Sequence, residues 1–89
     1  MTRNPPLDMS LADLPSGMPA RVTAVAPDLA KAPGVGRRLA EIGFLPGEAV
    51  RIVARGMLAS GPIAVRVGTG TFALRPFEAD CIRVCPERP

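Results

Sequence analysis

The sequence predicts a small, mainly β domain, a strongly curved barrel of about five short strands with one short α-helix. Three observations lead there. Aliphatic residues recur at alternate positions in short runs bounded by glycine and proline, as in AVRIVAR, IAVRV and CIRVC. One stretch only, VGRRLAEI, repeats at helical spacing. A chain of 89 residues supports one modest core and not two. With 47% hydrophobic residues but just Phe44, Phe72 and Phe77 as aromatics, that core must be built from Val, Ile, Leu and Ala.

The elements follow in order. Residues 1–10 contain Pro5 and Pro6 and no sustained period, and are read as a flexible tail. The domain is expected over 11–85, and 86–89 as a short polar tail. In LADLPSG, Ser10 is placed to cap a short turn, Leu11 and Leu14 to anchor in the core, and Pro15 and Gly17 to turn the chain. A first strand is expected over about Ala20 to Ala26. Val22 and Val25 there have opposite parity, which calls for a bulge or a strand buried on both sides.

After a loop around Pro27 to Gly34, the helix is expected to start near Gly34 or Val35. Val35, Leu39 and Ile42 then form its buried stripe, with Arg37, Arg38 and Glu41 toward water. Gly43 fits the left-handed position after the helix. That placement pairs Leu39 with Phe44 in the apolar contact of a Schellman cap. Leu45-Pro46-Gly47-Glu48 reads as a type II turn, with Pro46 fixing φ at its second position and Gly47 supplying the positive φ at its third. Gly43, Phe44, Pro46 and Gly47 are thus read as structural.

The second strand, AVRIVAR, is expected to put Val50, Ile52 and Ala54 on the core side. GMLASGP is a loop. Ile63, Val65 and Val67 mark the third strand, Gly68-Thr69-Gly70 turns the chain, and the fourth runs from Thr71 to Arg75. Pro76 stops it, PFEAD makes a short turn, and CIRVC is the final strand.

Charge and composition exclude more than they name. Eleven basic against eight acidic residues leave +3, without the clustered stripe typical of a nucleic-acid footprint. Arg37 and Arg38 are the one adjacent basic pair, and scarcity of aromatics leaves base stacking poorly supplied. There is no histidine, the commonest general base near neutral pH and the commonest metal ligand. Cys81 and Cys85 lie on a run that reads as a strand, where four residues span about 13 Å. A disulfide tolerates Cα separations of only about 4.4–6.8 Å. Two cysteines without histidine also make an incomplete zinc set, so free thiols in a reducing compartment are expected. The acidic residues Asp8, Asp13, Asp28, Glu41, Glu48, Glu78 and Asp80 show no metal-ligand spacing. No metal site, no cofactor and no catalytic residue is assigned. No stretch approaches a membrane span of roughly 20 apolar residues, and the N-terminus lacks the blocks of a secretory signal, so a soluble cytoplasmic protein is expected.

LADLPSG at the start, RRLAEIGFLPGEAV in the middle and PIAVRVGTGTFALRPFEADCIRV at the end, in this order and approximate spacing, resemble the FeoA family. These are small accessory proteins of bacterial ferrous iron transport. The resemblance implies an SH3-like barrel, no catalytic activity, and a place at the cytoplasmic side of the inner membrane beside the FeoB ferrous iron transporter. Similar domains in metal-dependent repressors follow a helix-turn-helix segment, for which this chain has no room. An SH3-like nucleic-acid-binding or transcription-regulatory module is the alternative, although no nucleic acid is expected as partner.

Four residues are candidates for partner contact. Arg37 and Arg38 form a paired guanidinium beside a rigid corner, suited to a carboxylate or phosphate. Met57 and Leu58 are large apolar residues in a glycine-flanked loop. An exposed edge strand leaves weak self-association open.

Overall fold

The computed structural model describes residues 8–25, 34–56 and 61–87. Six strands form one antiparallel sheet in the order β1-β6-β2-β3-β4-β5. They are β1 (Met9–Ser10), β2 (Ala20–Val25), β3 (Ala49–Arg55), β4 (Ile63–Val67), β5 (Gly70–Leu74) and β6 (Ile82–Pro86). Helix α1 spans Val35–Ile42, a short helix α2 spans Pro76–Ala79, and Leu11–Asp13 make one 3-10 turn. The SH3-like barrel expected from the sequence is the fold.

The core is aliphatic, as composition required. Leu11, Leu14, Val22, Leu39, Ile52, Val65, Leu74, Ile82 and Val84 are fully buried around Phe44. Each such side chain contributes roughly 1.5–3 kcal/mol relative to exposure. In α1 only Leu39 is fully buried, with Val35 and Ile42 packed at its margin. A helix of eight residues is too short to stand alone, so this packing holds it.

Two bulges bend the sheet. In β2, Val22 pairs with Val84 and Ala24 with Arg83, leaving Thr23 extra. This is the irregularity that the clashing parities of Val22 and Val25 foretold, and the Thr23 hydroxyl donates outward to Asp8 at 2.8 Å. In β3, Ile52 pairs with Val65 and Ala54 with Ala64, leaving Val53 extra. The second bulge corrects the expected core face of this strand: alternation breaks at Val53, and Ala54 lies exposed instead of inside.

Three further expectations change. Asp8–Ser10 belong to the fold instead of a tail: β1 pairs with β6, Ser10 is buried, and Arg83 donates to the Asp8 carbonyl at 2.7 Å. The C-terminal tail likewise begins later than residue 86. Pro86 lies in β6, and the Glu87 amide donates to the Pro19 carbonyl at 2.9 Å. Within PFEAD, Pro76–Ala79 form a helix, so the described residues hold two α-helices. Pro76 occupies the first helical position, where its missing N–H costs nothing, and Glu78 caps the end from the third.

Candidate functional site

The corner after α1 is closed by its own backbone. The Gly43 amide donates to Ala40 at 3.1 Å and the Phe44 amide to Leu39 at 3.0 Å, the two bonds of a Schellman cap, with Gly43 at φ 133°. Leu39 and Phe44, both buried, complete its apolar contact. The Glu48 amide then donates to Leu45 at 3.0 Å, and Gly47 sits at φ 92°, closing the expected turn at Pro46-Gly47. This turn also joins the sheet. The Gly47 amide donates to the Val22 carbonyl at 2.8 Å, and the Val22 amide to Glu48 at 2.9 Å. Arg21 braces the outside, donating to the Gly47 carbonyl at 2.9 Å and to Glu87 at 2.8 Å. Its guanidinium is exposed, and the hydrogen bond and charge of Glu87 raise its pKa above the ordinary arginine value.

The two arginines of the expected patch are both exposed on α1 and differ in their contacts. Arg37 is exposed and makes no ion pair among the described residues. Arg38 donates to Glu78 Oε2 at 3.0 Å, and Glu78 Oε1 accepts the Arg75 amide at 2.8 Å. A buried carboxylate therefore ties α1 to the start of α2, and Arg38 has a structural role that pattern reading did not give it. The sequence signals only the Glu78 end of this pair: a proline opening a helix with glutamate two residues on is a helix-start signature. Met57 and Leu58 lie outside the described residues.

Beside the corner, a shallow groove of about 340 Å³ separates it from the β4–β5 hairpin. Ile42, Leu45 and Glu48 line one side and Val67, Thr69 and Phe72 the other. Leu45 is 48% exposed there although it is a large apolar residue. Sequence reading treated Leu45 as a turn residue and missed it.

The described residues contain no group of three or more His, Cys, Asp or Glu side chains able to hold an ion. Cys81 is buried with its thiol on the Phe77 carbonyl, Cys85 is half-buried, and neither is in a disulfide. Among the described residues no helix is long and apolar enough to cross a membrane.

No curated protein matches the chain. A solved structure of FeoA from Stenotrophomonas maltophilia complexed with zinc, described as an SH3 domain protein possibly acting as a ferrous iron transport activating factor, is 41% identical. The match covers 90% of this chain and 96% of that one, with a TM-score of 0.77. FeoA from Chlorobium tepidum is 33% identical over 88% of this chain and 70% of that one, with a TM-score of 0.74. A manganese-dependent transcriptional repressor complexed with manganese matches at 25% identity and a TM-score of 0.74, over 93% of this chain but 38% of its own. The FeoA domain model matches residues 9–86, from β1 to the end of β6. The chain belongs to the FeoA family of ferrous iron transport accessory proteins.

Proposed function

We propose that this protein acts in the cytoplasm as a non-catalytic adaptor that binds the cytoplasmic part of a FeoB-type ferrous iron transporter and modulates uptake. The observation that carries the reading is the family match across the whole described barrel. The site chemistry agrees with it: the groove beside the corner presents exposed apolar surface, not a converging set of titratable groups. Arg37 and the Met57–Leu58 pair remain the contact candidates within this proposal, and Arg38 takes part through its hold on Glu78.

The test is association of the purified protein with its cognate transporter, full-length in membrane. Met57→Ala/Leu58→Ala is expected to weaken binding by about 1–2 kcal/mol, the effect of truncating a buried anchor, mainly through faster dissociation. Arg37→Glu is expected to slow association and flatten its salt dependence. Unchanged binding in both variants removes this patch. Absence of any wild-type interaction overturns the adaptor reading.

A further inference from the structure

One row of the sheet's outer face carries like charges in register. Arg51 on β3 stands directly opposite Arg66 on β4, and Arg66 stands opposite Thr71 on β5. All three are exposed, and neither arginine has an ion-pair partner among the described residues. Like charges directly opposite one another destabilise a sheet, so this pair opposes folding. The row runs out at the edge of the sheet.

That edge is β5. It pairs with β4 alone among the described residues and ends the strand order. The hairpin closes through Gly68 and Thr69, with Gly68 at φ 58°. Val67 and Gly70 are thus its hydrogen-bonded closing pair, and bonding alternates from there. Thr71 and Ala73 accordingly turn their backbone N–H and C=O groups away from β4, and their side chains are short and exposed. Phe72, between them, is half-buried and lines the apolar groove with Ile42 and Leu45.

We propose that the outer edge of β5 docks an extended peptide segment in which acidic and aliphatic residues alternate. The chemistry of each face selects its side chains. Strand addition satisfies the outward amides and carbonyls of Thr71 and Ala73 and gives the added strand the sheet's two-residue period. On the outer face, its acidic residues lie two strand spacings from Arg66, about 10 Å. The long side chains of arginine and glutamate close that gap over the short Thr71. On the other face, its aliphatic residues meet Phe72 and the exposed Leu45. A nucleic-acid strand would use the arginines but not the row of backbone donors or the apolar groove. The proposal rests on the adaptor reading for which protein supplies the segment, and not for the segment's chemistry.

The probe is a capped synthetic peptide of alternating valine and glutamate, with alternating valine and lysine as control, added to the full chain. Amide exchange is followed residue by residue by NMR. Binding of the glutamate peptide should slow exchange at Thr71 and Ala73 and leave the amides of β2 and β6 unchanged. Arg66→Glu turns the like-charged pair into an opposite-charged one, so the fold is preserved. It should weaken the glutamate peptide roughly tenfold and favour the lysine peptide. No binding at millimolar peptide, equal binding of the two peptides, or binding that leaves Thr71 and Ala73 unprotected would overturn the proposal. Protection of these amides without peptide, rising with protein concentration, would assign the edge to a second copy instead. Displacement of the glutamate peptide by a single-stranded oligonucleotide would assign the arginines to phosphate. No transporter is present in this experiment, so its failure leaves the adaptor reading standing, and the failure of transporter binding leaves this one standing.

Discussion

Replacing Arg38 by alanine should destabilise the fold far more than replacing its neighbour Arg37. The Glu78 side chain is 8% exposed, whereas that of Arg38 is 61% exposed. Losing Arg38 therefore frees a cation that water receives readily but strands a carboxylate that it does not. Among the described residues, only the Arg75 amide then remains on that carboxylate, at 2.8 Å. Breaking an exposed pair costs about 0.2–1 kcal/mol, and breaking a buried one about 3–5 kcal/mol. With one partner in each environment, about 1–2 kcal/mol is expected for Arg38→Ala. For a domain of this size that lowers the melting midpoint by roughly 5–15 °C. Arg37→Ala, with no partner to lose, should stay within about 0.5 kcal/mol of wild type. Thermal melts followed by circular dichroism, run for both single variants and for Arg38→Ala on a Glu78→Gln background, provide the check. On that background the carboxylate charge is already gone, so removing Arg38 should cost only a few tenths of a kcal/mol. An Arg38→Ala midpoint equal to wild type, or the same loss on both backgrounds, would refute the stranded-carboxylate argument.

Three other outcomes are expected. Gly43→Val should lose about 1–3 kcal/mol in denaturant melts, because a β-branched residue is strained at positive φ, and an unchanged midpoint would contradict the cap. The raised pKa of Arg21 makes its contribution fully present below the unfolded arginine value and lost only as pH climbs through the higher folded value. The stability difference between wild type and Arg21→Ala should accordingly show no titration of this guanidinium between about pH 6 and pH 10. A native thiol titration should label Cys85 well before the buried Cys81, with both reacting at once in denaturant, and equal native rates would contradict the burial of Cys81.

How far the sequence could be read depended on the range of the interactions involved. The cap at Gly43, the turn at Pro46-Gly47 and the cores of four strands were legible because each is written within a few neighbouring residues. The bulge in β2 was legible as a clash of parity between Val22 and Val25. The bulge at Val53 was not, since AVRIVAR alternates without fault and the extra residue shows only in the pairing with β4. The two residues of β1 were missed for the same reason. So short a strand has no period of its own and exists because β6 supplies its partners. Arg38 looked identical to Arg37 because nothing near it in sequence reveals a glutamate 40 residues away. The row formed by Arg51, Arg66 and Thr71 likewise exists only once register is known.

The position of β6 between β1 and β2 bears on how the chain reaches this fold. The first two strands in chain order are neighbours in sequence but are held apart in the sheet by the last strand to be synthesised. During translation, β2 can pair with β3, and β4 with β5, as soon as each emerges. The edge of β2 that β6 will occupy stays open throughout. Ser10, Leu11 and Leu14 lie beside that vacancy, so the start of the domain docks fully only when its end arrives. Folding of the nascent chain should thus remain incomplete until a single late step, and any extension at either terminus must leave that step unobstructed.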